Sequence, residues 1–151
     1  VVATTGSGTR TNSVSTYLKS SVVPKVGVAS MSTGKYVTSG SGKNKTTAFS
    51  AATVFKRGET VVIRATVKSA TGEAVANATV QSALSGPSSA SLTSAPSTGD
   101  GLAEARWVTS APNKRGVGGT PPGEYTATVT GISAAGHAWD GVSASVIFTL
   151  Q

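Results

Sequence analysis

Residues Thr60–Lys68 read TVVIRATVK, and this stretch decides the fold. Val61, Ile63, Ala65 and Val67 share one face of an extended chain, while Thr60, Arg64, Thr66 and Lys68 share the other. Successive side chains of a β-strand point to opposite sides, so this pattern predicts a strand with its apolar face on a core and its polar face in water.

The same period recurs downstream. Thr71-Gly72 marks a turn, after which Ala76, Ala78, Val80, Ser82 and Leu84 form the inward face of a second strand, with Asn77, Thr79 and Gln81 outward, ending at Pro87. A short strand around Ser91–Thr93 leads through Pro96 to a turn at Asp100-Gly101. In LAEARWV, Ala103, Ala105 and Trp107 point one way while Glu104 and Arg106 point the other. Two alanines beside one indole leave it room to lie flat, so Trp107 is expected to anchor the core. Its full burial is worth about 2–3 kcal/mol by area. Ser110–Pro122, SAPNKRGVGGTPP, reads as an exposed loop. GEYTATVTGI then turns Tyr125, Ala127 and Val129 inward, and a last strand from about Val142 to Leu150 aligns Val142, Ala144, Val146, Phe148 and Leu150.

Upstream the signals are weaker. VGVASMSTGKYV, from Val26 to Val37, predicts the first strand, with a turn at Ser32-Thr33-Gly34, and the SGSGKNK that follows predicts a loop. Residues 1–25 include 13 Ser, Thr, Gly or Pro and read as a linker or extended arm, whose Thr and Val content also suits it to pair as a strand. The expectation is an all-β, antiparallel Greek-key sandwich of about seven strands over 26–151, with 1–25 as the arm.

Composition agrees. Ser and Thr supply 44 of the 151 residues and Gly 18, charged residues are only 13%, and no window keeps a helical apolar period for three turns. There is no cysteine, so the fold holds by burial without disulfides, which for a Ser/Thr-rich extracellular β-protein favours a bacterial or archaeal source. The chain opens at Val1 with neither an initiator Met nor a leader pattern, as a processed or excised piece does, and contains no apolar run long enough to span a membrane. The net charge of +7 arises from having only six acids. The basic residues fall in small groups, Lys43/Lys45, Lys56/Arg57 and Lys114/Arg115, none of them the run expected of a nucleic-acid arm. A solvated surface accounts for them, the alternative being weak attraction to anionic polymers or cell envelopes.

Gly72, Val75, Ala78 and Val80, then Thr98, Gly101, Ala103 and Trp107, then Gly123, Tyr125 and Val129 form a pattern that resembles the bacterial immunoglobulin-like domains of the invasin and intimin type, also found as accessory C-terminal domains of secreted bacterial enzymes. The resemblance covers about Val26 to Gln151 and implies an immunoglobulin-like fold. It places Gly72 and Gly101 at turns and makes Tyr125 a candidate tyrosine corner, its hydroxyl returning to a loop carbonyl. The family commonly sets an acid directly after the turn threonine, whereas here Gly99 separates Thr98 from Asp100.

Chemistry-bearing patterns are sparse. A Ser-His-Asp set would have to use the single histidine, His137, with Asp100 or Asp140, and no nucleophile elbow or oxyanion-hole glycine motif accompanies it. The six acids stand far apart without D-x-D spacing, leaving at most a partial calcium site at Asp100 or Asp140, and zinc has one good ligand at best. SGSGK and RGVGGT lack phosphate-loop spacing. Trp139 and Tyr36 are the candidate ligand-stacking aromatics, with packing as the alternative role for Trp139. Asn44-Lys45-Thr46 and Asn77-Ala78-Thr79 match the N-glycosylation triplet.

Three functions fit. The first is a non-catalytic accessory module of a secreted or cell-surface protein, without cofactor or metal, spacing, stabilising or positioning an adjacent domain. The second is a protomer of an adhesin or fibre that pairs with like subunits through residues 1–25. The third is a carbohydrate-binding module that contacts a polysaccharide or cell-envelope polymer through Trp139 and Tyr36.

Overall fold

A computed structural model describes residues 22–151; residues 1–21 of the expected arm lie outside the described residues. Ten strands form: β1 (Lys25–Ser39), β2 (Thr46–Ala51), β3 (Val54–Phe55), β4 (Thr60–Ser69), β5 (Thr79–Ser85), β6 (Ala90–Thr93), β7 (Leu102–Val108), β8 (Gly123–Ser133), β9 (Ala138–Trp139) and β10 (Ser145–Leu150). No helix occurs among the described residues. One sheet runs β2-β1-β4-β7, with β9 beside the start of β1, and the other runs β3-β10-β8-β5-β6. Most pairings are antiparallel, but β1 with β9 and β3 with β10 are parallel, so the sheets are mixed where pure antiparallel pairing was expected.

The strand at TVVIRATVK forms as its alternation requires. Val61, Ile63, Ala65 and Val67 are all buried. They meet buried side chains of the other sheet in two clusters. One is aliphatic, with Val26, Val67, Val75, Val80, Ala103 and Val129; the other is aromatic, with Phe55, Tyr125, Phe148 and Leu150. Both draw on both sheets, which therefore pack face to face as a sandwich.

The first strand departs from expectation. β1 passes straight through Ser32-Thr33-Gly34 with no turn. Thr33 is buried and its hydroxyl donates to the Ala52 carbonyl at 2.7 Å. Gly34 opposes both Ala51 of β2 and Val62 of β4, the level at which β1 is paired on both sides. A side chain on Gly34 would strike the Phe49 ring and the Ser50 carbonyl, so this glycine permits a close approach rather than a turn.

Other boundaries shift for equally local reasons. Lys25, placed in the arm by the sequence, already opens β1. Ala76 is exposed rather than inward, because the chain turns through Asn77 at φ 58° before β5 begins at Thr79. Val142 is 64% exposed and precedes β10, which starts at Ser145. The turns at Thr71-Gly72 and Asp100-Gly101 form, with Gly72 and Gly101 at φ 88° and 76°. At Gly101 a Cβ would also collide with the Val67 carbonyl.

Trp107 is only half-buried and does not anchor the core. That position belongs to Tyr125, which is fully buried, stacks on Phe148 at 5.8 Å and meets the edge-strand indole of Trp107 at 4.8 Å. Its hydroxyl donates to the Pro121 carbonyl at 2.7 Å and lies 3.0 Å from the Ser88 hydroxyl. Tyr125→Phe keeps the ring and strands these partners, so it is expected to lower stability by about 1–2 kcal/mol, measured by urea denaturation at neutral pH. An unchanged midpoint would mean that the ring alone secures the loop.

Candidate functional site

The outer face of the β2-β1-β4-β7 sheet carries the densest polar cluster of the described residues. Extended geometry fixes its members. β4 and β7 pair with Arg64 opposite Glu104 and Val62 opposite Arg106, so these outward side chains stand in two adjacent rows. Tyr36 from β1 and Phe49 from β2 are register partners on the next pair of strands. Their rings meet edge to face at 6.1 Å.

Glu104 is the hub. Its carboxylate accepts the Tyr36 hydroxyl at 2.6 Å, Arg64 Nε at 3.1 Å, and Arg106 Nε and Nη2 at 3.2 and 3.1 Å. Arg64 also donates to the Tyr36 oxygen at 3.1 Å and lies 3.5 Å over the centre of the Phe49 ring, a cation–π contact. Arg106 lies 5.1 Å over Tyr36. Burial pushes the Glu104 carboxyl up, but the Tyr36 hydroxyl and the Arg106 and Arg64 guanidiniums outweigh it and hold the group below the usual carboxylate range. Alongside, Lys35 binds Glu59 at 2.7 Å, and this bond with the Lys56 backbone N–H lowers the Glu59 carboxyl too.

A groove of about 350 Å³ runs beside this network, lined by Lys35, Tyr36, Glu59, Thr60, Val62 and Arg106. Val62 forms its floor and is 1% exposed, although it belongs to the polar face of TVVIRATVK. With both carboxyls held ionised by fixed cations, neither is poised to exchange protons near neutral pH.

The two candidate stacking aromatics are not brought together. Trp139 lies beside Val26 at the start of β1, ten residues from Tyr36 on that strand, or about 30 Å away. Trp139 is half-buried against the aliphatic cluster, and its indole N–H is buried with no hydrogen-bond partner. Tyr36 is 39% exposed, but its hydroxyl is committed to Glu104 and Arg64, and Arg106 covers its ring. Both therefore act first in packing. No hydrogen bond joins the triad candidates: His137 Nδ1 contacts the Ala135 carbonyl at 3.0 Å, Asp140 accepts the Val142 N–H at 2.8 Å, and Asp100 sits in an exposed turn. No group of three or more metal-ligating side chains gathers among the described residues.

Sequence reading found Tyr36 and missed its partners. Arg64, Glu104 and Arg106 read as outward polar residues, which they are; alternation gives the face but not the neighbour. The available signal was Val62, an apolar residue on the polar face, which marks a covered patch.

Two outcomes follow from this geometry. A carboxylate whose pKa is lowered by folding adds stability above its ordinary titration range and loses it as pH falls through the folded value, so acid should destabilise the protein below about pH 4.5. Glu104→Gln should cost about 1–3 kcal/mol at pH 7 and flatten that acid dependence, as read from urea midpoints at pH 7 and pH 3. Trp139→Phe should be nearly neutral in thermal denaturation, because it removes an unpartnered buried donor, whereas Trp139→Ala should cost about 3 kcal/mol. A large loss for the phenylalanine variant would assign the indole N–H a partner.

No protein-family model matches the chain, and no curated protein matches it in sequence.

Proposed function

We propose that the chain is a non-catalytic, immunoglobulin-like accessory module of a secreted or cell-surface bacterial protein, positioning an adjacent domain on a surface. The observation that carries this reading is the tether of Tyr125 to Pro121, four residues back, at the start of the long strand β8. A tyrosine corner in immunoglobulin-type sandwiches makes this bond. The strand order supports it. The chain leaves β4 for the opposite sheet, makes the β5–β6 hairpin, returns as β7 beside β4, and crosses again to place β8 between β5 and β10. Such crossings are Greek-key in character. The outer-face network supports a binding or spacing role, because Lys35, Arg64 and Arg106 are held by Glu59 and Glu104 in a fixed array.

A second reading, a protomer of a fibre, has one observation in its favour. Edge strand β2, TTAFSA, carries neither charge nor proline, the devices that usually blunt an edge against strand addition.

One experiment separates these readings. The 151-residue chain is fused to the C-terminus of a soluble hydrolase, and its size, activity and retention on bacterial cell walls are measured. The accessory reading expects a monomer by light scattering, unchanged kcat and KM on soluble substrate, and wall retention that the hydrolase alone lacks. Concentration-dependent ladders would support the fibre instead, and hydrolysis by the isolated chain or absent retention would overturn the positioning role.

A further inference from the structure

The three dibasic groups lie far apart in sequence, yet the fold gathers them at one end of the sandwich. Lys56 and Arg57 precede β4, and Lys114 and Arg115 lie between β7 and β8. Those two loops are joined: Arg57 Nη1 donates to the Gly118 carbonyl at 3.4 Å, and the Thr109 hydroxyl accepts from Gly58 N–H at 2.8 Å while donating to the Glu59 carbonyl at 2.7 Å. Lys43 and Lys45 occupy the β1–β2 turn. The Lys35–Glu59 ion pair marks where β1 draws level with the entry to β4, and β1 runs on in the same direction to Ser39. The β1–β2 hairpin therefore projects about 13 Å past that end.

The six cations are free of the ion pairs found among the described residues. With Lys35 they make seven positive charges against two carboxylates at this end, Glu59 and Glu124, of which Lys35 already neutralises the first. At the opposite end the balance reverses. Glu73 beside Ser69, Asp100 in the turn before Gly101 and Asp140 beside Val26 make three acids against Lys25 and Lys68. Among the described residues, where 11 cations stand against six acids, the positive excess is thus concentrated at one end of the strand axis rather than spread evenly.

We propose that this basic end is a docking surface for a linear acidic polysaccharide. Deepening the positioning role proposed above, it identifies what the module would hold on to and rests on that reading. Three observations select the partner. First, the cations sit on three separate loops, and neither groove of about 350 or 290 Å³ is lined by any of the six. That spread suits repeated charges along a chain rather than one compact anion. Second, the hairpin carries Lys43 and Lys45 about 13 Å or more past Lys35 along the strand axis, farther than a Debye length of about 8 Å at physiological salt. A linear polymer can follow charges set out over that length. Third, the segments Gly40–Lys45, Lys56–Glu59 and Ser110–Pro122 contain no Trp, Tyr or Phe, so they offer no ring on which a nucleobase could stack, and four of the six cations are lysines, compact charges suited to isolated carboxylate or sulfate groups.

The loop between β7 and β8 is also held in shape. Asn113 Oδ1 accepts Arg115 N–H at 2.9 Å and Val117 N–H at 3.0 Å, and the Asn113 N–H donates to the Val117 carbonyl at 2.9 Å. Lys114 and Arg115 therefore sit on an ordered turn, which reduces the entropy lost when they engage a ligand.

The test uses the full chain with polygalacturonate, dextran sulfate, uncharged dextran, a single-stranded DNA oligomer and phosphatidylglycerol vesicles as probes. Affinity for both acidic polysaccharides is expected at about 50 mM salt and should fall about tenfold by about 200 mM. K43E/K45E and K114E/R115E should each weaken binding at least about fivefold, while K25E/K68E, the same change in net charge at the other end, should alter it less than about twofold. Circular dichroism melts verify that each variant is folded. Binding to dextran sulfate without polygalacturonate would restrict the ligand to sulfated chains and still support the surface. Four results overturn it: no binding at low salt, equal binding of uncharged dextran, an equal loss for K25E/K68E, or tighter binding of DNA or vesicles than of either acidic polysaccharide. Cell-wall retention of the hydrolase fusion that survives K114E/R115E would remove this surface from the positioning role while leaving that role standing.

Discussion

Tyr125 is the point at which the two sheets, the longest loop and the aromatic half of the core are held together. It is fully buried on β8, stacks on Phe148 of β10 in its own sheet, and touches Trp107 of β7 in the other. Its hydroxyl fixes the end of the Ser110–Pro122 loop at Pro121 and reaches Ser88 in the β5–β6 connection. With no disulfide and only eight aromatic residues in the chain, few side chains can tie so many elements at once. The remaining stability comes from small aliphatic side chains, and the buried Ala65, Ala103, Ala105 and Ala127 leave the space these few rings fill. Serines close the backbone accounting near the sheet edges: Ser94 and Ser97 accept the N–H groups of Val80 and Ala78.

The strands that were legible in the sequence are those with one face on the core and one in water. TVVIRATVK, LAEARWV and GEYTATVTGI alternate because burial selects every second residue, and they appear as β4, β7 and β8. β2, β3 and β9 were not legible because β2 buries almost nothing and the other two are too short to show a period, although β3 supplies the buried Phe55. Phe49 alone is half-buried in TTAFSA, and β3 and β9 are two-residue segments held by backbone pairing that leaves little trace in side-chain type. Gly34 misled for a related reason. A glycine beside Ser and Thr is the composition of a turn, but here it answers the approach of Phe49 across a paired strand, which depends on a partner 15 residues away.

The candidate site was legible only in outline. Tyr36 stood out as an aromatic left over once Trp107 and Tyr125 were assigned to the core, while Arg64, Glu104 and Arg106 looked like ordinary solvated positions. Register turned them into a site: Arg64 opposes Glu104 across β4 and β7, which makes a half-buried hydrogen-bonded hub of what alternation describes only as an outward row. Val62 carried the one sequence signal of this, since a valine on a polar face loses nothing if cations and an aromatic ring lie over it. Trp107 and Trp139 show the converse limit, because ring size predicts that a side chain packs without telling whether it packs at the centre or the edge.

The segregation of charge along the strand axis has a consequence for attachment. β1 begins beside Asp140 and Ser69, so the chain before Lys25 joins the sandwich at the acidic end. The dibasic loops stand at the far end of the same strands, where Gln151 also lies, its backbone paired with Phe55 and Arg57. The network around Glu104 lies between, on the sheet face, where two arginines against one carboxylate leave a net charge of only +1. A polyanion approaching the molecule would be drawn to the basic end by long-range charge and find the outer-face groove beside it, where Lys35 and Arg106 already have carboxylate partners. The cation-bearing loops and the outer-face groove are thus separate surfaces, and both lie outside the core that Tyr125 closes.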